Sequence, residues 1–235
     1  MLLRKSMDKS LVDAASESEI KRVSRRNFLG YLGGASALLV TAAACKKDDN
    51  NSMNSGVDLG SGDVGILNYA YALEQIEAAF YTKVAQSPYS GITAAETSLL
   101  TDIRDHEVAH REFFKTAIGA SAIISLELDF SSVDFGSRDS VLATAKAFED
   151  LGVTAYNGAG QLLVSADYLL LAGKIVSVEA RHAAYIRDLI SDGSFADNTA
   201  LDANGLDMSR TPGEVLAIAG AYVKTKINAS NLPTN

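Results

Sequence analysis

Two copies of the motif Glu-x-x-His limit what this 235-residue chain can fold into. They lie at Glu107–His110 and at Glu179–His182, and the sequence contains only one further histidine, His106. On an α-helix, side chains three residues apart lie on one face with Cβ atoms about 5–6 Å apart, so each pair can reach one point in space. Two such pairs in apolar, helix-period surroundings predict two metal ions held between helices.

An isolated glutamate precedes each motif on an earlier apolar stretch. Glu74 lies 33 residues before the glutamate of the first motif, and Glu149 lies 30 residues before that of the second. A tyrosine follows each of these glutamates by seven residues, Tyr81 in the first half and Tyr156 in the second. Seven residues are two helical turns, which places each tyrosine on the same face as its glutamate. The chain therefore contains two similar halves.

The similarity of the halves decides between two neighbouring glutamates in the first. Glu77 lies three residues after Glu74, on the same helix face. Aligning the halves makes Glu74 the counterpart of Glu149 and Glu77 the counterpart of Gly152. The alignment predicts Glu74 as the metal ligand and places Glu77 in the surroundings of the site.

From Asp63 to Leu189 this pattern resembles the ferritin-like superfamily of carboxylate-bridged di-iron proteins. The resemblance implies an antiparallel four-helix bundle that binds two iron ions, or two manganese ions, through six side chains. These are Glu74, Glu107, His110, Glu149, Glu179 and His182. The implied chemistry is ferroxidase, peroxidase or catalase-like protection, with oxygen, peroxide or ferrous iron as the small partner. No catalytic residue is singled out.

The segment Phe148–Val153, the spacing of Glu74 and Tyr81, and the N-terminal signal described below resemble one group in particular. These are the bacterial exported ferritin-like proteins, which include desiccation-related proteins, and the resemblance implies a stress-related role. Four further side chains are expected to contact the ligands without being part of the main ligand set. They are Glu77, Tyr81, His106 and Tyr156.

Two other functions stay open. The stretch from His106 to His110 is also the zinc metalloprotease signature, in which both histidines bind zinc and Glu107 is the general base. That interpretation leaves Glu149 and the second motif without a function. The other alternative is a ferritin-like bundle without metal that acts as a surface or stress-related interaction lipoprotein. Metal content separates the three: two iron or manganese ions per chain, one zinc ion, or none.

Residues 1–44 are predicted to be an export signal and not part of the fold. The stretch Ser24–Leu29 matches the twin-arginine pattern, and the apolar run after it is shorter than the about 20 apolar residues of a membrane span. Cys45, the single cysteine, follows three alanines as in a bacterial lipoprotein cleavage site. The sequence predicts export through Arg25 and Arg26, lipid on Cys45, and a periplasmic, outer-membrane or cell-surface lipoprotein whose partner is the membrane.

Residues 45–62 are rich in serine, glycine, asparagine and charged side chains, which predicts a flexible tether. The chain has 21 basic and 29 acidic residues, a net charge of −8. Residues 1–44 hold seven of the basic and four of the acidic residues, so removing them leaves a net charge of −11. Such a charge argues against nucleic acid as a partner. A homo-oligomer is left open.

The helical signals predict an all-α fold, with a bundle over residues 63–190. Its four helices are expected from about Asp63 to Gln86, Thr93 to Gly119, Asp139 to Tyr156 and Asp167 to Ile190. The segment between the second and third helices can span about 60 Å, longer than a helix of about 36 Å, and therefore forms one long crossover. Residues 191–235 are predicted to form a loop and a fifth helix from Thr211 to about Lys226, opened by a capping box with proline at its first position.

Overall fold

The computed structural model describes residues 56–234, which form an all-α bundle with a C-terminal extension. The predictions for Arg25, Arg26 and Cys45 fall outside the described residues. The elements, numbered in chain order, are β1 Val57–Asp58, α1 Gly62–Gln86, α2 Ala94–Ile118, α3 Arg138–Gly160, α4 Ala166–Ile190, α5 Pro212–Ala219 and β2 Ile227–Asn228. A single 3₁₀ turn follows α2 at Gly119–Ser121, and another follows α5 at Gly220–Tyr222. Within this part of the chain, no helix is both long and apolar enough to cross a membrane.

Side-chain caps fix where most of the helices begin. At the start of α2, the Thr93 hydroxyl accepts a hydrogen bond from the backbone N–H of Glu96 at 3.1 Å, and the Glu96 carboxylate accepts one from the Thr93 N–H at 3.0 Å. Ser137 and Ser165 each accept one backbone hydrogen bond at the start of α3 and α4, and Thr211 opens α5 with the same reciprocal pair as Thr93. Because caps are local signals, the sequence predicted the helix starts to within one residue.

The bundle consists of two antiparallel pairs, α1 with α2 and α3 with α4. A seven-residue loop joins the first pair and a five-residue loop joins the second, and the crossover between the pairs, residues 122–137, has almost no regular structure. The predicted four-helix bundle with one long crossover is confirmed. α3 continues to Gly160, four residues beyond the predicted end at Tyr156.

The predicted fifth helix is too long. α5 ends at Ala219, and after the 3₁₀ turn the chain enters β2, which pairs in parallel with β1 so that Val57 lies opposite Ile227. The predicted tether, residues 45–62, includes β1 and so extends too far towards the C-terminus. The two strands come from opposite ends of the described chain, so no local sequence signal indicates their pairing.

Most of α1 is buried because the crossover runs along it. The Asn68 amide donates to the carbonyl oxygen of Ser121 at 3.0 Å and accepts from the N–H of Ile123 at 3.0 Å. Two helical turns further on, the Gln75 side chain accepts a hydrogen bond from the N–H of Leu126 at 2.8 Å. Two amide side chains on α1 thereby supply hydrogen bonds to a segment that has no ladder of its own.

The segment between α4 and α5 covers α3 in a similar way. Arg187 of α4 donates two hydrogen bonds to Asp150 at 2.7 and 2.8 Å and one to Asp197 of the segment at 3.1 Å. A Cβ on Gly158 would stand 1.8 Å from the carbonyl oxygen of Arg210, so only glycine permits this approach. As a result α1 and α3 are mostly buried, whereas α2 and α4 each expose one face.

Candidate metal centre

Six side chains from the four bundle helices converge inside the bundle. They are Glu74 from α1, Glu107 and His110 from α2, Glu149 from α3, and Glu179 and His182 from α4. All four glutamates have 0 % exposure to solvent, and the two histidine side chains are 14 % and 5 % exposed. The structure therefore brings together all six residues that the sequence named as ligands.

The ligand atoms fall into two overlapping groups, and within each group all of them lie within 4.8 Å of one another. One group is formed by Glu74, Glu107, His110 and Glu179, the other by Glu107, Glu149, Glu179 and His182. Glu107 and Glu179 belong to both. A carboxylate has two oxygens, so each of these two can face both groups, as a bridging ligand does.

Each histidine lies closest to the shared glutamate of the opposite half. His110 Nδ1 lies 2.9 Å from Glu179 Oε1 but 3.8 Å from Glu107 Oε2 of its own motif. His182 Nδ1 lies 2.8 Å from Glu107 Oε1 but 3.8 Å from Glu179 Oε2. The two motifs are thus interleaved at one site between α2 and α4.

The donor atoms lack hydrogen-bond partners of acceptable geometry. Among the described residues, ten buried side-chain atoms are in this situation, and eight of them belong to the six converging residues. They include both oxygens of Glu107 and Glu179 and the Nδ1 atoms of both histidines. Buried polar groups without partners are costly, and a cation between them would satisfy all eight. The residues present therefore fit a pair of metal ions.

Burial and mutual repulsion shift the acids. Burial raises the pKa of Glu74 to about 7, and it also raises the pKa of Glu149. Burial and then the carboxylate of Glu107 raise the pKa of Glu179 well above its usual range. For Glu107 burial acts in the same direction, but close contacts with both histidines outweigh it and lower the pKa to about 2. The cluster without a cation holds protons that a solvated set of carboxylates would release.

The two histidines are shifted in the direction of the imidazolium form. Burial by itself would lower the pKa of His110, but contacts with three carboxylates, Glu107 first, raise it to about 12. For His182, burial again acts to lower the pKa, but contacts with Glu107 and Glu149 outweigh it and raise the pKa to about 10. Cationic imidazoles stand where a metal would otherwise balance the negative charge.

Two tyrosines contact the terminal glutamates across the bundle. The Tyr81 hydroxyl donates to Glu149 Oε1 at 2.5 Å, and the Tyr156 hydroxyl donates to Glu74 Oε1. Burial, followed by the neighbouring carboxylates, raises the pKa of both hydroxyls well above the usual range, so both stay protonated donors. Each tyrosine thereby orients the glutamate of the other half.

His106 lies outside the ligand groups. Its Nδ1 is 2.9 Å from His182 Nε2, on the opposite side of that ring from the glutamates, and the two rings are stacked with planes 7° apart. His106 is exposed, so it links the buried His182 to the surface. His106, which the di-metal interpretation did not need as a ligand, thus contacts His182 through the ring nitrogen that faces away from the glutamates.

Glu77 is buried at the site, next to the glycine that is its counterpart in the second half. A Cβ on Gly152 would stand 3.1 Å from Glu77 Oε1 and 3.8 Å from Glu179 Oε2. Burial, and then the carboxylates around it, raise the pKa of Glu77 well above its usual range. The structure places Glu77 beside the two ligand groups, and the sequence gave no sign that Gly152 makes the room for it.

Sequence reasoning missed the small apolar cavity that adjoins Tyr156. Ala70 of α1 and Ala155 and Ala159 of α3 are among the residues that line it. Their only sequence signal is small side chains at helical spacing, which is the ordinary pattern of a tightly packed core.

The fold and the site together define a class: a four-helix bundle with a buried carboxylate–histidine cluster that can hold metal. The family model of the ferritin-like domain matches residues 62–192. That match covers more than half of the chain, and the chain belongs to the ferritin-like domain family. No curated protein matches it.

Proposed function

We propose that this chain is an exported ferritin-like protein that binds two iron or manganese ions and reacts with oxygen or peroxide. The observation that carries the proposal is the sharing of Glu107 and Glu179 between two ligand groups. Two separate sites would need more ligands, whereas two shared carboxylates can hold a pair of ions side by side.

The donor set supports iron or manganese over softer metals. Carboxylate side chains outnumber imidazoles four to two, and no sulfur ligand is present in the two groups. Such oxygen-rich sets suit metals that also exchange electrons, and a bound pair would supply one-electron redox steps to a small oxidant or ferrous substrate.

The side chains divide the remaining work. Glu107 and Glu179 would hold both ions, while Glu74 and Glu149, each oriented by a tyrosine hydroxyl, would each hold one. Because the carboxylates are fully buried, bulk water is kept away from the pair. Ligands oriented by such hydrogen bonds usually bind metal more tightly than ligands without them.

The zinc-protease alternative finds less support. It requires His106 and His110 to approach one ion, yet His106 Nδ1 lies against His182 Nε2 and belongs to neither ligand group. The alternative also leaves the buried Glu149 and Glu179 without a partner for their free oxygens. A bundle without metal would leave the eight buried atoms of the six candidate ligands without hydrogen bonds of acceptable geometry.

Metal counting on purified protein tests the proposal. The full chain loaded with ferrous iron should bind two ions per chain and oxidise them with oxygen or peroxide. Glu107→Ala should lose both ions because it removes a member of both groups, whereas Glu149→Ala should retain at most one. Glu112→Ala, an exposed carboxylate on the same helix as Glu107, is the matched control and should keep both.

A second pair of variants separates the proposal from the zinc interpretation. Glu179→Ala with His182→Ala should empty at least one position and abolish oxidation, while His106→Ala should keep both ions with a modest loss of affinity. One zinc ion per chain, retained in the double variant and lost in His106→Ala, would overturn the proposal.

Twin-arginine export and a lipid anchor on Cys45 are part of the same proposal, and they rest on the sequence. Arg25→Lys combined with Arg26→Lys should block export, because signal recognition depends on the paired guanidinium groups. Cys45→Ser should release the protein from the membrane fraction. A Cys45→Ser protein that still fractionates with membranes like its parent would rule out the anchor.

A further inference from the structure

A small, partly open apolar cavity at one end of the bundle adjoins the metal centre through Tyr156. The cavity has a volume of about 30 Å³ and is lined by residues of α1, α2, α3 and α4 at one end of the bundle. Its walls are almost entirely aliphatic and aromatic, with Ala70, Leu73, Phe114, Ala155 and Ala159 among them.

The cavity lies beside the ligand set, with Tyr156 between them. Leu73 precedes Glu74 in the chain, and Phe114 follows His110 by one helical turn. Tyr156 lines the cavity and also donates its hydroxyl hydrogen bond to Glu74. A molecule in the cavity is therefore separated from a ligand glutamate by one aromatic side chain.

The lining selects against polar occupants. A buried water normally makes two to four hydrogen bonds, and empty apolar cavities stay dry. The Tyr156 hydroxyl is already committed to Glu74, which leaves the Tyr69 hydroxyl as a buried wall group without a hydrogen-bond partner. Hydrogen peroxide, with two hydroxyl groups, has the same difficulty as water. A small apolar molecule does not.

The size selects a small gas. A volume of about 30 Å³ exceeds the roughly 10–15 Å³ needed for one water-sized molecule, and it is far below the 150 Å³ of a cavity that binds benzene. An acyl chain or an aromatic substrate does not fit. A diatomic molecule does.

We propose that this cavity docks dioxygen beside the metal centre. The inference rests on the proposed function. Of the two oxidants named there, it assigns oxygen and not peroxide to the cavity. The cavity concentrates an apolar gas from solution next to Glu74, and Tyr156 is the side chain that separates the two compartments.

Oxygen itself is the probe in the first experiment. The full chain is purified with zinc so that it carries no paramagnetic ion, and alanine methyl relaxation is compared under oxygen and nitrogen pressure. Because dioxygen is paramagnetic, the methyl groups of Ala70, Ala155 and Ala159 should relax severalfold faster under oxygen. The methyl groups of Ala78 and Ala145, buried elsewhere in the core, should change little. Equal relaxation of the two sets would overturn the proposal.

A cavity-filling variant makes the test specific. Ala159→Leu should fill the space and reduce the oxygen effect on Ala70 to the level of Ala145. Ala145→Leu, a buried position on the same helix outside the cavity, should leave the effect intact. If Ala159→Leu does not fold, Ala70→Val fills the same cavity from α1, and the methyl group of Ala155 reports. An undiminished oxygen effect in the folded filling variant would overturn the proposal.

Kinetics of the iron-loaded chain provide the second readout. Ala159→Leu should raise the KM for oxygen by roughly fivefold or more at unchanged kcat, the pattern expected when ground-state binding is lost. Oxidation driven by peroxide should be unaffected. A KM for oxygen equal to that of the parent would overturn the docking role. If the methyl groups relax as expected but the chain never oxidises iron, the docking site stands and the proposed function is wrong.

Discussion

At the scale of single residues, the two tyrosines near the centre show how the halves of the chain depend on each other. Tyr81 follows Glu74 in sequence but donates to Glu149, and Tyr156 follows Glu149 but donates to Glu74. The seven-residue spacing indicated a shared helix face. It could not indicate that the contact crosses to the other half, because that depends on how α1 and α3 pack.

We expect Tyr81→Phe to lower both stability and metal affinity. The change leaves Glu149 Oε1 buried without its donor, and a buried hydrogen bond to a charged group contributes about 1.5–3 kcal/mol. Denaturant unfolding of the metal-loaded protein measures the loss, and metal titration should show weaker binding of one ion. Tyr71→Phe is the matched control on the same helix, since the Tyr71 side chain is buried but its hydroxyl makes no hydrogen bond to any of residues 56–234. An equal loss in both variants would contradict the role of the Tyr81 hydroxyl.

Gly152 marks the limit of prediction at this scale. The structure places Glu74 in one of the two groups that could hold a metal ion and Glu77 outside both. The alignment of the halves used Gly152 only as a reason to leave Glu77 out of the ligand set, whereas in the structure its lack of a side chain leaves the space that the Glu77 carboxylate occupies. Repeats in a sequence identify equivalent positions, but the shape of the space between them is a property of the packed bundle.

At the scale of elements, the parts that the sequence predicted well are governed by local physics. The start of α2 follows from the reciprocal bonds of Thr93 and Glu96, and the start of α5 from the equivalent box at Thr211. The convergence of the six candidate ligands was predictable for a related reason, because helical spacing fixes which side chains share a face. Each of these signals is contained within one or two turns of helix.

The elements that were predicted poorly depend on contacts between distant segments. β2 forms only because β1 lies beside it, so the end of α5 could not be read from its apolar pattern. The course of the crossover depends on Asn68 and Gln75, whose amides bind its backbone from α1. In the sequence these two residues are merely polar positions within an apolar helix. Their burial follows from the crossover that they bind.

At the scale of the whole molecule, folding and metal binding both change the protonation of the same buried carboxylates and histidines. The raised pKa values of the buried carboxylates mean that the folded chain without metal keeps protons that the unfolded chain releases above about pH 4.5. The raised pKa values of His110 and His182 act in the same direction above about pH 6.5. Since the folded state binds more protons, its stability falls as pH rises through this range. The lowered pKa of Glu107 opposes this only in acid, below its usual pKa.

Bound metal should reverse that dependence, because the ligands must lose their protons before they coordinate a cation. We expect the metal-free protein to unfold at a higher temperature at pH 5.5 than at pH 8, with a slope of roughly 1 kcal/mol per pH unit for each proton held. The metal-loaded protein should be more stable at pH 8. Thermal unfolding at both pH values, with and without chelator, measures the two slopes, and Glu112→Ala should preserve both because its carboxylate is exposed. Identical slopes in the two forms would mean that these six side chains do not bind the metal.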